Sequence, residues 1–541
     1  MDKLSAERHL WWQTCVVYQI YPLSFMDSNG DGYGDLAGIS SKLDYVKELG
    51  VDAIWLSPIY PSPLADWGYD VSDYVGIHPL CGTMADFDTL LANCHKRGMK
   101  LILDFVPNHT SNQHPWFVES RSSRDNPKRN WYLWKDAGRD GGPPNNWLSV
   151  FGGPAWTLDE ATGQYYLHSF LAEQPDLNWR NPEVQAAMLD VMHFWLDKGV
   201  DGFRIDALWH VMKDAQYRDN PLNPEYVEGE MPSYERLAPA YSGGQPELHE
   251  IVGLMRHVTD QYEDRVLIGE MYLPVEQLMM YYGRQRDAGL HLPYNFQLIV
   301  LPWKAAEIFA GVNRYEASLP GFAWPNWVLG NHDKPRVATR VGIEQAKVAA
   351  MLLLTLRGTP TIYAGDEIGM QDVPVPAERQ RDPAGKLLGS DKFGRDPQRT
   401  PMQWTGGAGA GFTTGEPWLP VAADCGKVNV EGQREDGDSM LAFYRRLLEL
   451  RRAEPALQIG GYVPAGQKAD LFAFLRDLGD KCFLIAVNLG STRARLAIPR
   501  HLDVTGEVVL GTEPQRVGRT ISQYINLGPN EGLVARIKPS D

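Results

Sequence analysis

Short apolar, β-branched runs recur along the chain and alternate with longer stretches whose apolar residues return every three or four positions, the pattern of βα units on a parallel sheet. Eight runs read as strands: Val16 to Tyr21, Ala53 to Ser57, Leu101 to Val106, Gly202 to Asp206, Val266 to Glu270, Asn295 to Leu298, Val328 to Asn331 and Thr361 to Ala364. Between them, Gly38 to Leu49, Met84 to Arg97, Glu183 to Lys198 and Ile343 to Leu356 carry helical periodicity. Eight such units predict an α/β fold, a closed (β/α)8 TIM barrel, better than they predict an open sheet.

Most runs end in polar or charged residues, as in DFVPNH, GFRID, LIGE, LGNHD and YAGDE. In a barrel those ends converge on the face where catalysis is placed. The pattern divides the chain into a first part of the barrel at 1–106, a loop-rich inserted domain at 107–176, the barrel remainder at 177–463 and a C-terminal antiparallel β domain at 464–541. Two further irregular stretches, roughly Lys213 to Glu247 and Gln371 to Leu419, are expected to overhang the same rim as lids or specificity walls.

Charge and composition narrow the partners. The 541 residues carry a net charge of -16, which repels nucleic acid and anionic membranes and suits a neutral small molecule. No apolar run approaches the roughly 20 residues of a membrane span, and the N-terminus lacks a signal-like apolar stretch, so a cytoplasmic location is expected. Cys15, Cys81, Cys94, Cys425 and Cys482 are scattered, without a CxxC pair, and read as reduced thiols. The 17 Trp and 24 Tyr supply flat faces that suit sugar rings, although core packing accounts for most of them. The expected assembly is a monomer or homodimer.

Five ordered motifs carry a resemblance: DFVPNHTS (Asp104 to Ser111), QPDLN (Gln174 to Asn178), GFRIDA (Gly202 to Ala207), IGEMY (Ile268 to Tyr272) and LGNHDKPR (Leu329 to Arg336). From about Trp12 to Trp404 the chain resembles the α-amylase family of glycoside hydrolases, within it the oligo-1,6-glucosidase and α-glucosidase group. The resemblance implies Asp206 as nucleophile, Glu270 as general acid/base and Asp333 as the third carboxylate. Cleavage with retention needs one carboxylate to attack the anomeric carbon and one carboxylic acid to protonate the leaving oxygen. Glu270 must therefore carry a proton when substrate binds, a state that burial and neighbouring carboxylates are expected to favour. Arg204, two residues before Asp206 on a period-2 strand, points to the same side and is expected to orient the nucleophile.

The resemblance also implies that His109 and His332 bind the sugar at the cleavage subsite and that Asp104 and Asn108 support it. Asp66 and Tyr69 in DWGYD, with Arg399 in RTPMQW, resemble residues with which exo-acting members hold a terminal glucose. Tyr69 is expected to stack on the ring, and Asp66 and Arg399 to bind its outer hydroxyls and to touch each other. Phe151 and Phe170 are candidate walls. Ala207 resembles the small residue of relatives that prefer non-1,6 linkages, where 1,6-preferring relatives have Val. The expected activity is an exo-acting α-glucosidase on short α-glucosides. A glucosyltransferase or disaccharide isomerase on the same covalent intermediate is the alternative, and a catalytically silent sugar-binding relative fits less well, because all three carboxylates are present.

No cofactor is required for this chemistry. Asp27, Asn29, Asp31, Tyr33 and Asp35 nevertheless have the odd-position oxygen spacing of an EF-hand-like loop, with Gly32 at the sixth position and Gly38 where the twelfth-position Glu would stand. A structural Ca2+ or Mg2+ is expected there, against the alternative of a plain Asx turn.

Overall fold

The computed structural model describes residues 9–286, 288–388, 391–502 and 504–537; residues 1–8, where a leader was sought in the sequence, lie outside them. Eight strands form one parallel sheet: β1 (Val17–Ile20), β2 (Ala53–Leu56), β3 (Lys100–Phe105), β4 (Gly202–Ile205), β5 (Val266–Gly269), β6 (Leu292–Pro293), β7 (Asn326–Val328) and β8 (Thr359–Tyr363). The hydrogen-bonded order is β7-β8-β1-β2-β3-β4-β5-β6. Strands such as β2 and β5 are buried along their whole length, so unbroken apolar runs suit them where alternation would not.

One strand lies elsewhere than expected. Asn295 to Leu298 is not a strand: β6 is the two residues Leu292–Pro293, and the apolar run that follows forms the short helix Gln297–Val300. Pro293 has no N–H to give to a ladder. The buried side chain of Asn326 spans the β6–β7 seam instead, accepting from the Asn295 N–H at 2.9 Å and donating Nδ2 to the Pro293 carbonyl at 2.6 Å. An amide side chain thus closes the ring where main-chain pairing is missing.

The helices follow their capping chemistry. Thr83 and Asp86 form a reciprocal capping box at the start of Met84–Lys96, and Asn181 caps Pro182–Asp197, with Pro182 in the first turn where its missing N–H costs nothing. The helical stretch expected at Gly38 to Leu49 is two helices, Leu36–Ser41 and Leu43–Leu49, broken at Lys42.

Between β3 and Pro182–Asp197 the chain forms the helix Pro115–Ser122 and a small antiparallel sheet of Trp134–Lys135, Gln164–Leu167 and Trp156–Asp159. From Gly461 onward it forms a six-stranded sheet, antiparallel throughout. Buried Arg451, on the helix Met440–Ala453, links the barrel to the helix Pro455–Ile459, and buried Arg476 ties the sheet to both. Arg451 donates to the carbonyls of Leu354, Gly358 and Leu457, and Arg476 to those of Thr355, Leu457 and Gly460.

Candidate active site

Asp206 and Glu270 are the residues directly after β4 and β5, and main-chain hydrogen bonds fix both to the preceding strand. The Asp206 N–H donates to the Phe105 carbonyl at 2.8 Å and the Glu270 N–H to the Ile205 carbonyl at 3.0 Å. Their side chains therefore leave the barrel rim side by side. Asp104 on β3 is the cross-strand partner of Arg204 on β4, which places a carboxylate and a guanidinium of the barrel interior in register.

Arg204 is the cation of the site. Its Nη1 reaches Asp104 Oδ1 at 2.8 Å and Asp206 Oδ1 at 2.6 Å, and its Nη2 reaches Glu270 Oε2 at 2.9 Å. Its guanidinium lies 4.9 Å from the Trp55 ring centre. Three carboxylates share one buried positive charge, so they cannot all be ionised cheaply. Burial raises Asp104 to about 7 and Asp206 well above the usual carboxylate range, Arg204 opposes both shifts, and the charge of Glu270 adds to both. The cluster keeps a proton near neutral pH. Glu270 Oε2 faces Arg204 Nη2 at 2.9 Å and accepts the Ala207 N–H at 3.0 Å, which fixes that oxygen and turns the carboxyl's other edge away from Arg204.

A hydrogen-bonded chain leads from this cluster across the pocket. Gln19 Nε2 faces His332 Nδ1 at 2.7 Å, which puts the ring hydrogen on Nε2. His332 Nε2 meets the Tyr69 hydroxyl at 2.7 Å, and Tyr69 donates to Asp104 Oδ2 at 3.1 Å. The Tyr69 and His332 rings lie parallel, 2° apart in plane. Burial pushes His332 well below 6.5, so the ring is neutral and meets Asp333 Oδ2, 3.2 Å away, as a hydrogen-bond donor. Asp333 lies well below the usual carboxylate range: burial pushes it up, but His332, Arg399 and Arg395 together more than reverse that. The full charges that hold it ionised are the two guanidinia.

The far end of the pocket corrects one expectation. Asp66 does not pair with Arg399. Its Oδ1 accepts from Arg395 Nη2 at 2.6 Å, while Arg399 donates to Asp333 Oδ1 at 2.7 Å and to the His332 carbonyl at 3.0 Å. The two arginines flank the turn Asp396–Gln398, and the path of the chain aims the earlier one at Asp66 and the later one at Asp333. Arg395 also faces Asp382 at 2.6 Å and Asp333 at 3.4 Å and lies 4.9 Å from the Phe151 ring centre. Sequence reasoning missed it, although GRDPQR places it four residues before Arg399.

His109 is fully enclosed by the Asn108 and Gln174 amides and the Tyr69 carbonyl, and burial lowers it to about 4. Gln174, also not foreseen as a site residue, donates to Asp66 Oδ2 at 3.1 Å. Phe170 packs 5.2 Å from His109, and Phe151 packs 5.9 Å from Phe170. Every catalytic and sugar-binding candidate is thus drawn into one connected site. The side chains of Asp206, Glu270 and Asp333 remain 12, 11 and 22 % exposed, so each keeps an edge open to a ligand.

The loop Asp27 to Asp35 stands apart from this network. Asp27 accepts the N–H groups of Asn29, Gly30 and Gly32 and the Thr413 hydroxyl, while Asp35 accepts from Ser28 and caps the helix Leu36–Ser41 through the Gly38 N–H. Among the described residues no three His, Cys, Asp or Glu side chains group closely enough to hold a metal ion. A cation would need the Asn29 amide and the Tyr33 carbonyl as well; that all-oxygen set is of the kind Ca2+ and Mg2+ accept.

Residues 19–460 match the family description Alpha amylase, catalytic domain. The chain belongs to the α-amylase family. It is 40% identical to an α-glucosidase of Culex pipiens, covering 97% of this chain and 90% of the relative, and 40% identical to an oligo-1,6-glucosidase of Parageobacillus thermoglucosidasius, covering 98% and 99%. Its fold superposes on the crystal structure of an α-glucosyl transfer enzyme with a TM-score of 0.92, at 41% identity and covering 98% and 100% of the two chains. This α-amylase family member is a glycoside hydrolase on a (β/α)8 barrel with an antiparallel C-terminal sheet.

Proposed function

We propose that this chain is a retaining, exo-acting α-glucosidase that releases terminal glucose from short α-glucosides and prefers linkages other than 1,6. Asp206 attacks the anomeric carbon as the C1–O bond to the leaving group breaks, and Glu270 gives its proton to the departing oxygen. Glu270 then takes a proton from water as the water oxygen displaces Asp206. A retaining reaction needs its two carboxylates roughly 5–5.5 Å apart. The observation that carries this reading is that Asp206 and Glu270 hold the two terminal nitrogens of one guanidinium. Asp66 and Arg395, with Phe151 beside them, supply the blind end that makes the enzyme exo-acting, and Ala207 next to the nucleophile supports the linkage preference.

The α-glucosyl transfer enzyme among its structural neighbours favours a second reading, interception of the glucosyl-enzyme by a sugar hydroxyl instead of water. Incubation with maltose, sucrose, trehalose, isomaltose and aryl α-glucosides, with products identified over time, separates the two. Free glucose as the dominant product supports hydrolysis, and new oligosaccharides or isomerised disaccharides support transfer. Turnover of isomaltose far above that of maltose would overturn the linkage preference.

The Asp27 to Asp35 loop is proposed to hold a structural Ca2+ or Mg2+. The donor chemistry supports it, as does Asp27, held below the usual carboxylate range because its hydrogen-bond donors outweigh the upward push of burial. A melting temperature unchanged by chelator and by added Ca2+ or Mg2+ would remove it. A cytoplasmic monomer or homodimer completes the proposal; among the described residues no helix is long and apolar enough to cross a membrane.

A further inference from the structure

Asp382 has no part in the chemistry above, yet it is almost fully buried and, besides capping the helix Pro383–Leu387 through the Ala384 N–H, it spends its carboxylate on one arginine. Its Oδ1 accepts from Arg395 Nε at 3.0 Å and Nη2 at 2.6 Å, and its Oδ2 from the Arg395 N–H at 2.6 Å. Asp396 returns the arrangement, its carboxylate accepting the N–H groups of Arg381 at 2.6 Å and Asp382 at 3.0 Å. Residues 381–382 and 395–396 are therefore stitched together, and the segment between them leaves and rejoins the rim at one point. Farther out, that segment packs Leu388 toward Gly152 of the loop after β3 and donates Lys392 Nζ to the Glu230 carbonyl of the loop after β4.

The charges explain what the stitch is for. Arg395 and Arg399 face three carboxylates, Asp66, Asp333 and Asp382, and a guanidinium that faces several carboxylates has more than one place to rest. A cavity of about 140 Å3 borders the stitch itself, lined by Val375, Asp382, Gly394, Asp396 and Pro397. Only Asp382 grips both the backbone and the fork of Arg395. We propose that Asp382 is a positioning residue that fixes the Arg395 guanidinium against Asp66, and so sets the affinity of the blind end for the terminal glucose. This inference rests on the reading of Asp66 and Arg395 as that blind end.

Asp382→Asn separates this role from a structural one. Asn is as good an N-cap as Asp, so the helix Pro383–Leu387 keeps its cap while the ionic hold on Arg395 is lost. The expected result is a rise of about tenfold or more in the inhibition constant of free glucose and, by a similar factor, in KM for maltose and for an aryl α-glucoside. The shared glucose, not the aglycone, is what loses its contact, so kcat should stay within about threefold. Asp382→Glu, which keeps the charge, should recover part of the loss, and Asp382→Asn added to Arg395→Ala should cost nothing further.

A folded Asp382→Asn enzyme with unchanged glucose inhibition and KM overturns the proposal. So does a fall in melting temperature and kcat with KM unchanged, which would make Asp382 a residue of the fold. If Asp382→Asn does not fold, Asp382→Glu decides, since its longer arm must misplace Arg395 and raise KM if the proposal holds. Should Arg395→Ala itself leave glucose inhibition unchanged, the blind-end reading fails; should it weaken glucose while Asp382→Asn does not, only the Asp382 proposal fails.

Discussion

The backbone N–H of Ala207 donates to Glu270 Oε2 at 3.0 Å, so the residue that follows the proposed nucleophile holds the proposed acid/base. Arg204 faces the same oxygen, so the acid role proposed for Glu270 falls to Oε1. Glu270→Gln should therefore cost most where the leaving group needs a proton. Maltose turnover should fall about 10²- to 10⁴-fold, the usual contribution of general acid catalysis. Formation of the glucosyl-enzyme from an aryl α-glucoside with a nitrophenolate leaving group should fall far less, and added azide should restore its turnover as α-glucosyl azide. Equal losses on the two substrates would remove Glu270 from the acid role.

Ala207 itself stands at φ 45° and ψ 32°, left-handed backbone that costs a non-glycine residue about 1 kcal/mol or more. The side chain is small and follows Asp206 directly, beside the carboxyl proposed to protonate the leaving group. Ala207→Val places a branched side chain there and adds steric cost to an already strained backbone. The ratio of kcat/KM for isomaltose to that for maltose should rise about tenfold, with a melting temperature a few degrees lower. A ratio that stays put would make Ala207 a packing residue only.

Acids at the barrel rim were legible in the sequence because a strand run that ends in an acid presents it there, and Asp206 and Glu270 follow β4 and β5 directly, while the roles proposed for them rest on the family resemblance. The parallel sheet was legible for the same reason: strands buried on both faces read as unbroken apolar runs. Two features were not. The Gln297–Val300 run is apolar enough for a strand, and a two-residue β6 ending in proline has too little sequence to compete with it. Arg395 and Arg399 are alike in type and four residues apart, and only the tertiary path of the segment stitched by Asp382 and Asp396 decides which one meets Asp66. Local pattern carries strand ends well; it does not carry the aim of long side chains on irregular loops.

Lys213 and Asp176 form a pair with side chains 2 and 0 % exposed, Nζ to Oδ2 at 2.7 Å, and Lys213 also donates to Asn108 Oδ1 at 2.7 Å. Burial pushes Asp176 up, but Lys213 and Ser169 more than reverse it, so the carboxyl lies below its usual range. Lys213→Met leaves that carboxylate buried without its counter-charge, held only by the neutral donors of Ser169 and Asn108. The expected loss is about 3–5 kcal/mol of unfolding free energy, read from denaturant melts at neutral pH. A carboxyl whose pKa is depressed on folding stabilises above its unfolded value and loses that contribution as pH falls, so the deficit of the variant should shrink toward pH 4. A deficit independent of pH would place the effect in packing, not in the pair.

Asp366, just beyond β8, gives the opposite sign. Burial raises it to about 7 against the pull of Arg336, whose Nη1 is 4.0 Å away, and its Oδ1 has no hydrogen-bond partner. Between about 4, where the unfolded carboxyl titrates, and about 7, the folded state binds a proton that the unfolded state has lost. The folded form then carries the larger number of bound protons, so this group makes stability fall as pH rises through that window and contributes no further change above it. Buried His109, His114 and His210, each lowered to about 4 by burial, push the whole-protein curve the other way between about 4 and 6.5, which is why the reading must be a difference. Asp366→Asn keeps the shape and removes the ionisation. Its melting temperature relative to the parent enzyme should climb by several degrees from pH 4 to pH 7 and then level off. A difference that is flat across the window, or that falls with rising pH, would mean that Asp366 is ionised in the folded enzyme throughout and is fully paired with Arg336.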